Sequence, residues 1–219
     1  MWDANFLQVD EVDDAITAGD LAQEADRLMG PRGLAHRKIQ LDEEALGSRL
    51  APDLEGAGWD VHRLLVMVHN GEDIGPPSTP VDEITDAVHT AAKDEFNRRD
   101  PYIAEQKVVD EMRGLARRVS EATDKRCFAA YVEDEIASVC ELYSDGLTAQ
   151  IEDVATLEEH RKKGLAQAVV RRALHEAQTW GHETIFLVAD GDDWPKEMYA
   201  KLGFEEAGRT FQFLLKPQT

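Results

Sequence analysis

A short basic run, Arg161-Lys162-Lys163, stands directly before Gly164 on an otherwise strongly acidic chain. It follows a strand-like segment at 148–156 and precedes a helical pattern, so we expect it to open a helix. The free backbone N–H groups of a first helical turn, together with the helix dipole, bind anions such as phosphates. Gly164 and the small Ala166 let such a ligand approach the backbone closely. The run predicts a pyrophosphate site, and a solvated basic face is the alternative interpretation.

Signatures of other catalytic or metal centres are absent from the sequence. The seven histidines show no HExxH or similar ligand spacing, so we predict no metal. Cys127 and Cys140 do not form a CxxC pair, and two cysteines in a chain of this length do not indicate a disulfide framework. There is also no G-x-S-x-G motif, Walker A motif or dinucleotide-binding glycine pattern. Cys140 lies within a predicted strand and is expected in the core.

The elements that position the basic run alternate regularly from residue 81 onward. Helices are predicted at 82–99 and from Pro101 to about Thr123, followed by three short-linked strands at 127–132, 136–143 and 148–156. The short links predict antiparallel pairing. The remaining predicted elements are a helix at 161–180, a strand at 184–189, a helix at 195–202 and a strand at 211–215. This order predicts an α/β fold with a mixed, mostly antiparallel sheet flanked by helices.

A smaller α/β segment, residues 1–69, precedes the main domain at 81–219. The Gly- and Pro-rich stretch 70–80 between them is expected to be a linker. Within the smaller segment we predict helices at 20–29 and 43–54 and strands at 36–41 and 61–69. The last of these strands is too apolar to stay exposed, so it should pair with the sheet of the main domain or of another subunit.

The smaller segment weakly echoes the end of the chain. Gly19 and Gly164 are 164 − 19 = 145 residues apart, and at this offset Gly58-Trp59 falls on Gly203-Phe204. The shared α-β-α-β order suggests a degenerate half-copy, and chance similarity of two amphipathic stretches is the alternative.

The charge balance restricts the classes of partner. With 24 Lys+Arg and 44 Asp+Glu the formal net charge is −20, which disfavours nucleic acid and anionic membrane surfaces. The surplus acid either serves solubility or favours cationic substrates such as amines. No apolar run approaches the roughly 20 residues of a membrane helix, and the acidic start lacks a secretory pattern. We therefore expect a cytoplasmic location.

Two segments together resemble a known family. The hexapeptide Arg161–Ala166 is similar to the R/Q-x-x-G-x-G/A signature of the GNAT superfamily of acetyl-CoA-dependent N-acetyltransferases. Residues 198–204, MYAKLGF, resemble the LYxKLGF segment of that family, at the usual separation. The resemblance covers roughly the last two-thirds of the chain. It implies the GNAT fold, acetyl-CoA as co-substrate and transfer of the acetyl group to a primary amine.

The same resemblance implies where acetyl-CoA would bind. The backbone of Val154, Ala155 and Thr156 would hydrogen-bond the pantetheine arm, in a V-shaped opening between the strands that end near Thr156 and begin near Thr184. The pyrophosphate would be held by the backbone N–H groups of Arg161, Lys162, Lys163, Gly164, Leu165 and Ala166, with the Arg161 side chain assisting. The position matching Arg161 in the smaller segment is Ile16, so we predict that this segment binds no CoA.

Tyr199 occupies the place of the tyrosine that protonates the departing CoA thiolate in the family. A packed aromatic side chain is the alternative interpretation. Asp192 is a cofactor-binding candidate, since it stands where an Asn often contacts the cofactor in the family. It departs from the family pattern, and an ionised Asp accepts hydrogen bonds but cannot donate them. Pro195 replaces the usual Ala and suits a first helical turn.

A base is needed because amines are mostly protonated at neutral pH. Glu152 is the candidate, because strand alternation places it on one face with Gln150 and Val154, while Asp153 faces the other way. Glu141 is the reserve candidate. Alternatively, these carboxylates bind a cationic substrate or add surface charge. We expect a small-molecule or peptide amine as acceptor and a possible homodimer, and a non-catalytic acetyl-CoA-binding module is the alternative function.

Overall fold

The structure is a computed structural model of the 219-residue chain that describes residues 5–10, 15–99, 110, 112–115, 117–118, 121 and 123–217. The chain divides into two compact units. The first contains Met1–Val66, Val188–Lys196 and Glu206–Thr219, and the second contains Met67–Leu187 and Glu197–Glu205. Residues 70–80 have no helix or strand, and the domain boundaries proposed from the sequence stay a prediction.

The described strands and helices alternate along most of the chain. In chain order they are β1 (Leu7–Val9), α1 (Ala18–Met29), β2 (Arg37–Leu41), α2 (Glu44–Gly56), β3 (Asp60–His69), β4 (Asp82–Ile84), α3 (Asp86–Arg99), β5 (Asp124–Val132), β6 (Glu135–Ser144), β7 (Thr148–Thr156), α4 (Leu165–Thr179), β8 (Thr184–Asp190), α5 (Pro195–Lys201) and β9 (Phe204–Leu215). Short 3-10 turns lie at Gly30–Arg32 and Glu158–His160. None of the described helices is both long and apolar enough to cross a membrane.

The first unit packs α1 and α2 on a mixed sheet with the strand order β1-β2-β9-β3-β8. β1 is parallel to β2, and β2 is antiparallel to β9. The apolar strand β3 is interior, next to two strands from the C-terminal part of the chain, as its composition predicts. The α2 helix packs closely on β9 at Gly47, because a Cβ atom there would lie 2.2 Å from the Phe211 ring.

The second unit has the strand order β8-β7-β6-β5-β4. β4 to β7 pair antiparallel in sequence, and β7 pairs parallel with β8 after the α4 crossover. Consecutive residues on a strand point to opposite faces. The Cys140 thiol of β6 donates a hydrogen bond to the Val169 carbonyl of α4 at 3.3 Å. The next residue, Glu141, instead contacts His89 of α3. The helices α4 and α3 therefore cover opposite faces of this sheet.

Most predicted elements are confirmed, and the main differences concern β1, α3, α4 and β9. β1 was not predicted, and α4 begins at Leu165 although its helix was predicted from residue 161. Asp82–Ile84 form β4, paired with β5, and α3 begins only at Asp86. On this helix Val88 is 42% exposed, whereas His89 is buried. The final strand begins at Phe204 rather than near Phe211. The helix predicted from Pro101 lies largely outside the described residues, although residues 110, 112–115, 117–118 and 121 are helical.

Candidate active site

β7 is longer than its described ladder with β8. That ladder runs from Thr148–Thr184 to Ile151–Leu187, while β7 continues as a strand to Thr156. Over its last residues β7 is paired with β6, where Ala155 lies opposite Val139 and Thr156 opposite Ser138. In the described pairs, β6 therefore positions the end of β7.

A β-bulge interrupts this part of β7. Glu152 pairs with Glu141, and Ala155 pairs with Val139, so β7 carries one extra residue opposite Cys140. Asp153 takes a left-handed backbone conformation with φ 52°, which Asp tolerates better than most residues. The bulge ends the strict alternation predicted for Gln150, Glu152 and Val154.

The expectation that Asp153 faces away from the carboxylates is wrong. Its carboxylate lies 2.5 Å from Lys93 Nζ and 4.0 Å from His89 Nε2, both on α3. Glu141 meets the other nitrogen of the same histidine at 3.1 Å. Glu141 and Glu152 share a face because directly paired strand residues do. The bulge therefore gathers three carboxylates under α3.

Glu152, the predicted base, is half-buried on this face. Gln150 donates a side-chain hydrogen bond to Glu152 Oε1. Burial raises the pKa of Glu152, while hydrogen bonds from Asp153 N–H and Gln150 oppose the rise. A carboxyl with a raised pKa is better matched to take a proton near neutral pH. Glu141, the reserve candidate, is already engaged by Lys125 at 2.8 Å and by the Tyr143 hydroxyl.

The basic loop opens α4 without a side-chain cap. Gly164 is the N-cap residue in a left-handed conformation, φ 79°, and it has no side chain that could cap the helix. Lys162 is also left-handed, φ 63°. Left-handed residues followed by helical ones turn successive N–H groups into one concavity, which suits an anion. A Cβ at Gly164 would meet nothing within 4 Å, so the concavity is open.

The three basic side chains of the loop are exposed. Arg161 Nε approaches the Thr156 carbonyl at 3.4 Å, which links the loop to the end of β7. Lys163 Nζ lies 3.1 Å from His160 Nδ1. Leu165 is buried and Ala166 half-buried, so these two residues anchor the first helical turn.

The end of β7 that would receive the pantetheine arm is fixed from the β6 side. Ser138 Oγ lies 2.9 Å from the Ala155 carbonyl and 2.8 Å from Thr156 Oγ1. The Leu157 N–H donates to the Ala137 carbonyl at 3.0 Å. Val154 and Ala155 are half-buried. The strand end is therefore held from one side only in these contacts.

Tyr199 lies on α5 and is 8% exposed. Its ring packs edge-on against Phe204, with centroids 6.3 Å apart. Burial raises the pKa of Tyr199 to about 12, and the nearby Cys140 and Glu152 add to the rise. The phenol therefore keeps its proton at neutral pH and can donate it.

Asp192 belongs to the first unit. Its side chain is 72% exposed, with Oδ2 3.8 Å from Arg63 Nη1. Its backbone N–H donates to Asp190 Oδ1 at 2.8 Å. A carboxylate with an arginine partner has no donor to offer a ligand, which agrees with the departure from the family pattern noted in the sequence.

Sequence reasoning missed His89 and Lys93 on the carboxylate face. No short motif contains them, because their partners lie on β6 and β7. The buried face of α3 contains His89, Ala92 and Asn97, and its two polar residues give no hydrophobic pattern by which the sequence could have marked it.

Comparison with known proteins agrees with this fold. Residues 86–204 match the Acetyltransferase (GNAT) family. The chain is also similar to the Uncharacterized N-acetyltransferase CgeE of Bacillus subtilis (strain 168), at 37% identity over 62 residues. That match covers 28% of this chain and 24% of the relative, so this chain matches about a quarter of that protein's length.

Among solved structures, a functionally unknown conserved protein of Staphylococcus epidermidis has a TM-score of 0.69 at 13% identity, over 92% of this chain and 82% of the other. A tandem GNAT protein from the clavulanic acid biosynthesis pathway, solved without AcCoA, has a TM-score of 0.65 at 16% identity, over 91% and 69% of the two chains. These similarities concern the fold. Because the family match spans more than half of its residues, the chain belongs to the GNAT acetyltransferase family.

Proposed function

We propose that this protein transfers the acetyl group of acetyl-CoA directly to a primary amine of a small molecule or peptide. The observation that carries the proposal is the uncapped N-terminus of α4, where Gly164 leaves the first-turn N–H groups open beside three exposed basic side chains. Such a terminus attracts a pyrophosphate through hydrogen bonds and the helix dipole. On an acidic chain, this local positive charge stands out.

In this proposal the backbone does most of the binding. The N–H groups of residues 161–166 receive the pyrophosphate, with the guanidinium of Arg161 beside them. The end of β7 at Val154, Ala155 and Thr156 receives the pantetheine arm. Acetyl-CoA supplies the thioester carbonyl that the amine attacks. Asp192 stays a candidate contact to the co-substrate, but only as a hydrogen-bond acceptor, because its carboxylate has no proton to donate.

In this proposal two side chains transfer protons, one as a base and one as an acid. Glu152 takes the proton from the acceptor ammonium, because burial has already raised its pKa toward the working range. Tyr199 donates its phenolic proton to the departing sulfur, since it stays protonated at neutral pH. The other two carboxylates of the face are paired with lysines, Glu141 with Lys125 and Asp153 with Lys93, so Glu152 is the carboxylate that meets the acceptor.

We infer that the segment 1–69 binds no acetyl-CoA. Its α1 helix is closed by a capping box, in which Thr17 Oγ1 accepts the Asp20 N–H and Asp20 accepts the Thr17 N–H. A carboxylate already occupies the place where an anion would bind. Ile16 stands at the position of Arg161.

A non-catalytic acetyl-CoA-binding module is the second candidate. Asp192 favours this non-catalytic function, because the family often has an asparagine amide at this position. Here the side chain is a carboxylate that lies near Arg63. The two candidates share the binding site and differ in turnover. An amine screen that detects CoA release distinguishes them.

Isothermal titration of acetyl-CoA into wild type, Gly164→Glu and Gly181→Glu tests the proposal. Gly164→Glu places a carboxylate in the anion site and should weaken binding at least about 100-fold. Gly181→Glu is the matched control, because Gly181 has φ 82°, equally open surroundings and a place at the other end of α4. It should bind like wild type. No binding to folded wild type, or equal losses in both variants, would overturn the proposal.

A further inference from the structure

Three potential metal ligands of different chemistry converge between α3 and the sheet. They are His89 of α3, Cys127 of β5 and Glu141 of β6, and one ligand atom from each lies within 4.8 Å of the other two. All three are buried, at 2%, 2% and 5% exposure. Cys127 and Glu141 are directly paired across β5 and β6, so the sheet presents them side by side. We propose that these residues bind a transition-metal dication, with Zn²⁺ the preferred ion.

The donor set is the one that zinc uses. A thiolate, an imidazole nitrogen and a carboxylate oxygen are its three common protein ligands. His89 Nδ1 and Glu141 Oε1 are 3.1 Å apart. Zinc–nitrogen and zinc–oxygen bonds of about 2.1 Å place two tetrahedral ligands about 3.3 Å apart. The distance between His89 Nδ1 and Glu141 Oε1 is therefore already close to the distance between two ligands of one zinc ion.

An unsatisfied buried atom is the second, independent observation. His89 Nε2 has no hydrogen-bond partner in the described part of the chain, although the side chain is only 3% exposed. With Nδ1–H donating to Glu141, the bare Nε2 would face Asp153 Oδ2 at 4.0 Å, which is unfavourable.

A metal on Nδ1 reverses this arrangement. The imidazole proton then resides on Nε2 and points to the Asp153 carboxylate, the usual partner of a metal-bound histidine. A small shift would bring Nε2 and Asp153 Oδ2 to hydrogen-bond distance. Metal binding thus satisfies the one orphaned nitrogen of the cluster.

The charges of the cluster match a dication. Lys93 pairs with Asp153 at 2.5 Å, and Lys125 pairs with Asp86 at 2.6 Å. Lys125 also touches Glu141 Oε1 at 2.8 Å, and Asp86 remains its partner when Oε1 turns to the metal. Each of these two lysine–aspartate pairs is neutral. The Glu141 carboxylate and a Cys127 thiolate then supply two negative charges that balance the dication. Tyr143 donates to Glu141 Oε2 and helps to orient the carboxylate.

The sequence could not reveal this site, because its ligands come from one helix and two strands. The histidine spacing alone predicted no metal. The inference is independent of the proposed acetyl transfer, since it concerns binding of the metal and not turnover.

Cobalt titration of chelator-treated, metal-free protein tests it. Co²⁺ replaces Zn²⁺ in such sites and reports a thiolate ligand through a sulfur-to-metal charge-transfer band. We expect one equivalent to bind with this band, and Zn²⁺ to displace it. Cys140→Ser is the matched control, since Cys140 is equally buried on the opposite face. It should keep the band.

Cys127→Ser should lose the band and His89→Gln should weaken Zn²⁺ binding at least about tenfold. An X-ray absorption spectrum of the zinc-loaded wild type, which needs no variant, should count one sulfur ligand. Absence of sulfur in that spectrum, or a charge-transfer band that persists in Cys127→Ser, would overturn the proposal. So would equal Zn²⁺ affinity in wild type and both site variants, because the ion would then lie on surface carboxylates.

Discussion

Two regions of the chain have the same order of elements, residues 7–69 and residues 152–214, here called the first and second repeat. They differ at the N-terminus of their first helix, which is capped by side chains in the first repeat and uncapped in the second. The order strand-helix-strand-helix-strand recurs at an offset of 145 residues. Gly58 and Gly203, which follow α2 and α5 at this offset, both have φ 88°. The shared order and this shared turn favour a degenerate copy over chance similarity.

The first helix of each repeat shows what the difference means. Thr17 and Asp20 close the terminus of α1 with a capping box, whereas Gly164 leaves the terminus of α4 uncapped. A side-chain cap contributes about 1 kcal/mol to stability. The second repeat forgoes that contribution, and the proposed anion site at this terminus accounts for the missing cap.

The other proposed site positions differ in the same direction. Leu54, fully buried in the core, matches Tyr199, and Leu7 of β1 matches Glu152. Both proposed catalytic residues of the second repeat thus have an apolar counterpart in the first. The comparison suggests that the site depends on a few substitutions in a common framework.

Replacing Tyr199 should have the largest effect. Tyr199→Phe keeps the ring and its contact with Phe204 but removes the phenolic proton. Turnover with an amine identified by CoA release should fall about 100-fold, because general acid catalysis contributes about that much or more. Acetyl-CoA affinity, measured by calorimetry, should not change. Turnover equal to wild type would show that Tyr199 serves only packing.

Tyr199→Leu extends that test by installing the residue of the first repeat. It should lose turnover to the same degree as Tyr199→Phe. A clear difference between the two variants would show that the shape of the ring, and not its proton, supports the reaction.

Glu152→Gln should have a smaller, pH-dependent effect on stability. The pKa of Glu152 is raised in the folded protein, mainly by burial and also by Asp153 and Glu141. Its contribution to stability is present below the unfolded pKa of about 4.3 and is lost as pH rises through the folded value. The variant should therefore unfold at a higher temperature than wild type at pH 8, and the difference should shrink toward pH 4.

Glu159→Gln is the control for the predicted direction of the stability change at pH 8. The exposed Glu159 has a lowered pKa, owing mainly to a backbone N–H and also to Arg99. Removing its charge should not stabilise the protein at pH 8. If Glu152→Gln lowered the melting temperature throughout this range, the buried carboxylate would be stabilised by its partners, contrary to the raised pKa.

The sequence allowed the linear features of the site to be predicted, but not its tertiary ones. The bounds of β7 and the basic loop at 161–163 follow from local pattern and turn chemistry. The bulge at Asp153 does not, because it depends on how β7 pairs with β6 and on contacts with α3. His89 was missed for a related reason, since an isolated helical pattern does not reveal a polar side chain buried against carboxylates. Short β4 was also missed, because three residues carry too little periodicity to mark a strand.

The smallest predicted difference compares Gly58→Ala with Gly203→Ala. Both positions have φ 88°, so an alanine at either one costs about 1 kcal/mol in backbone strain. At Gly58 the added Cβ meets nothing within 4 Å, whereas at Gly203 it lies 3.0 Å from His69 Nε2 and 3.1 Å from Asn70 Oδ1.

His69 cannot easily yield to that Cβ. Its Nε2 is hydrogen-bonded to the Leu202 carbonyl at 3.1 Å, and its Nδ1 accepts the Gly71 N–H at 3.1 Å. Gly203→Ala should therefore lose about 1 kcal/mol more than Gly58→Ala in urea unfolding, since crowding a packed site costs that much or more. Equal losses would mean that His69 moves aside at no cost. The two turns would then be equivalent, and the difference between the repeats would be confined to the polar positions and the helix termini.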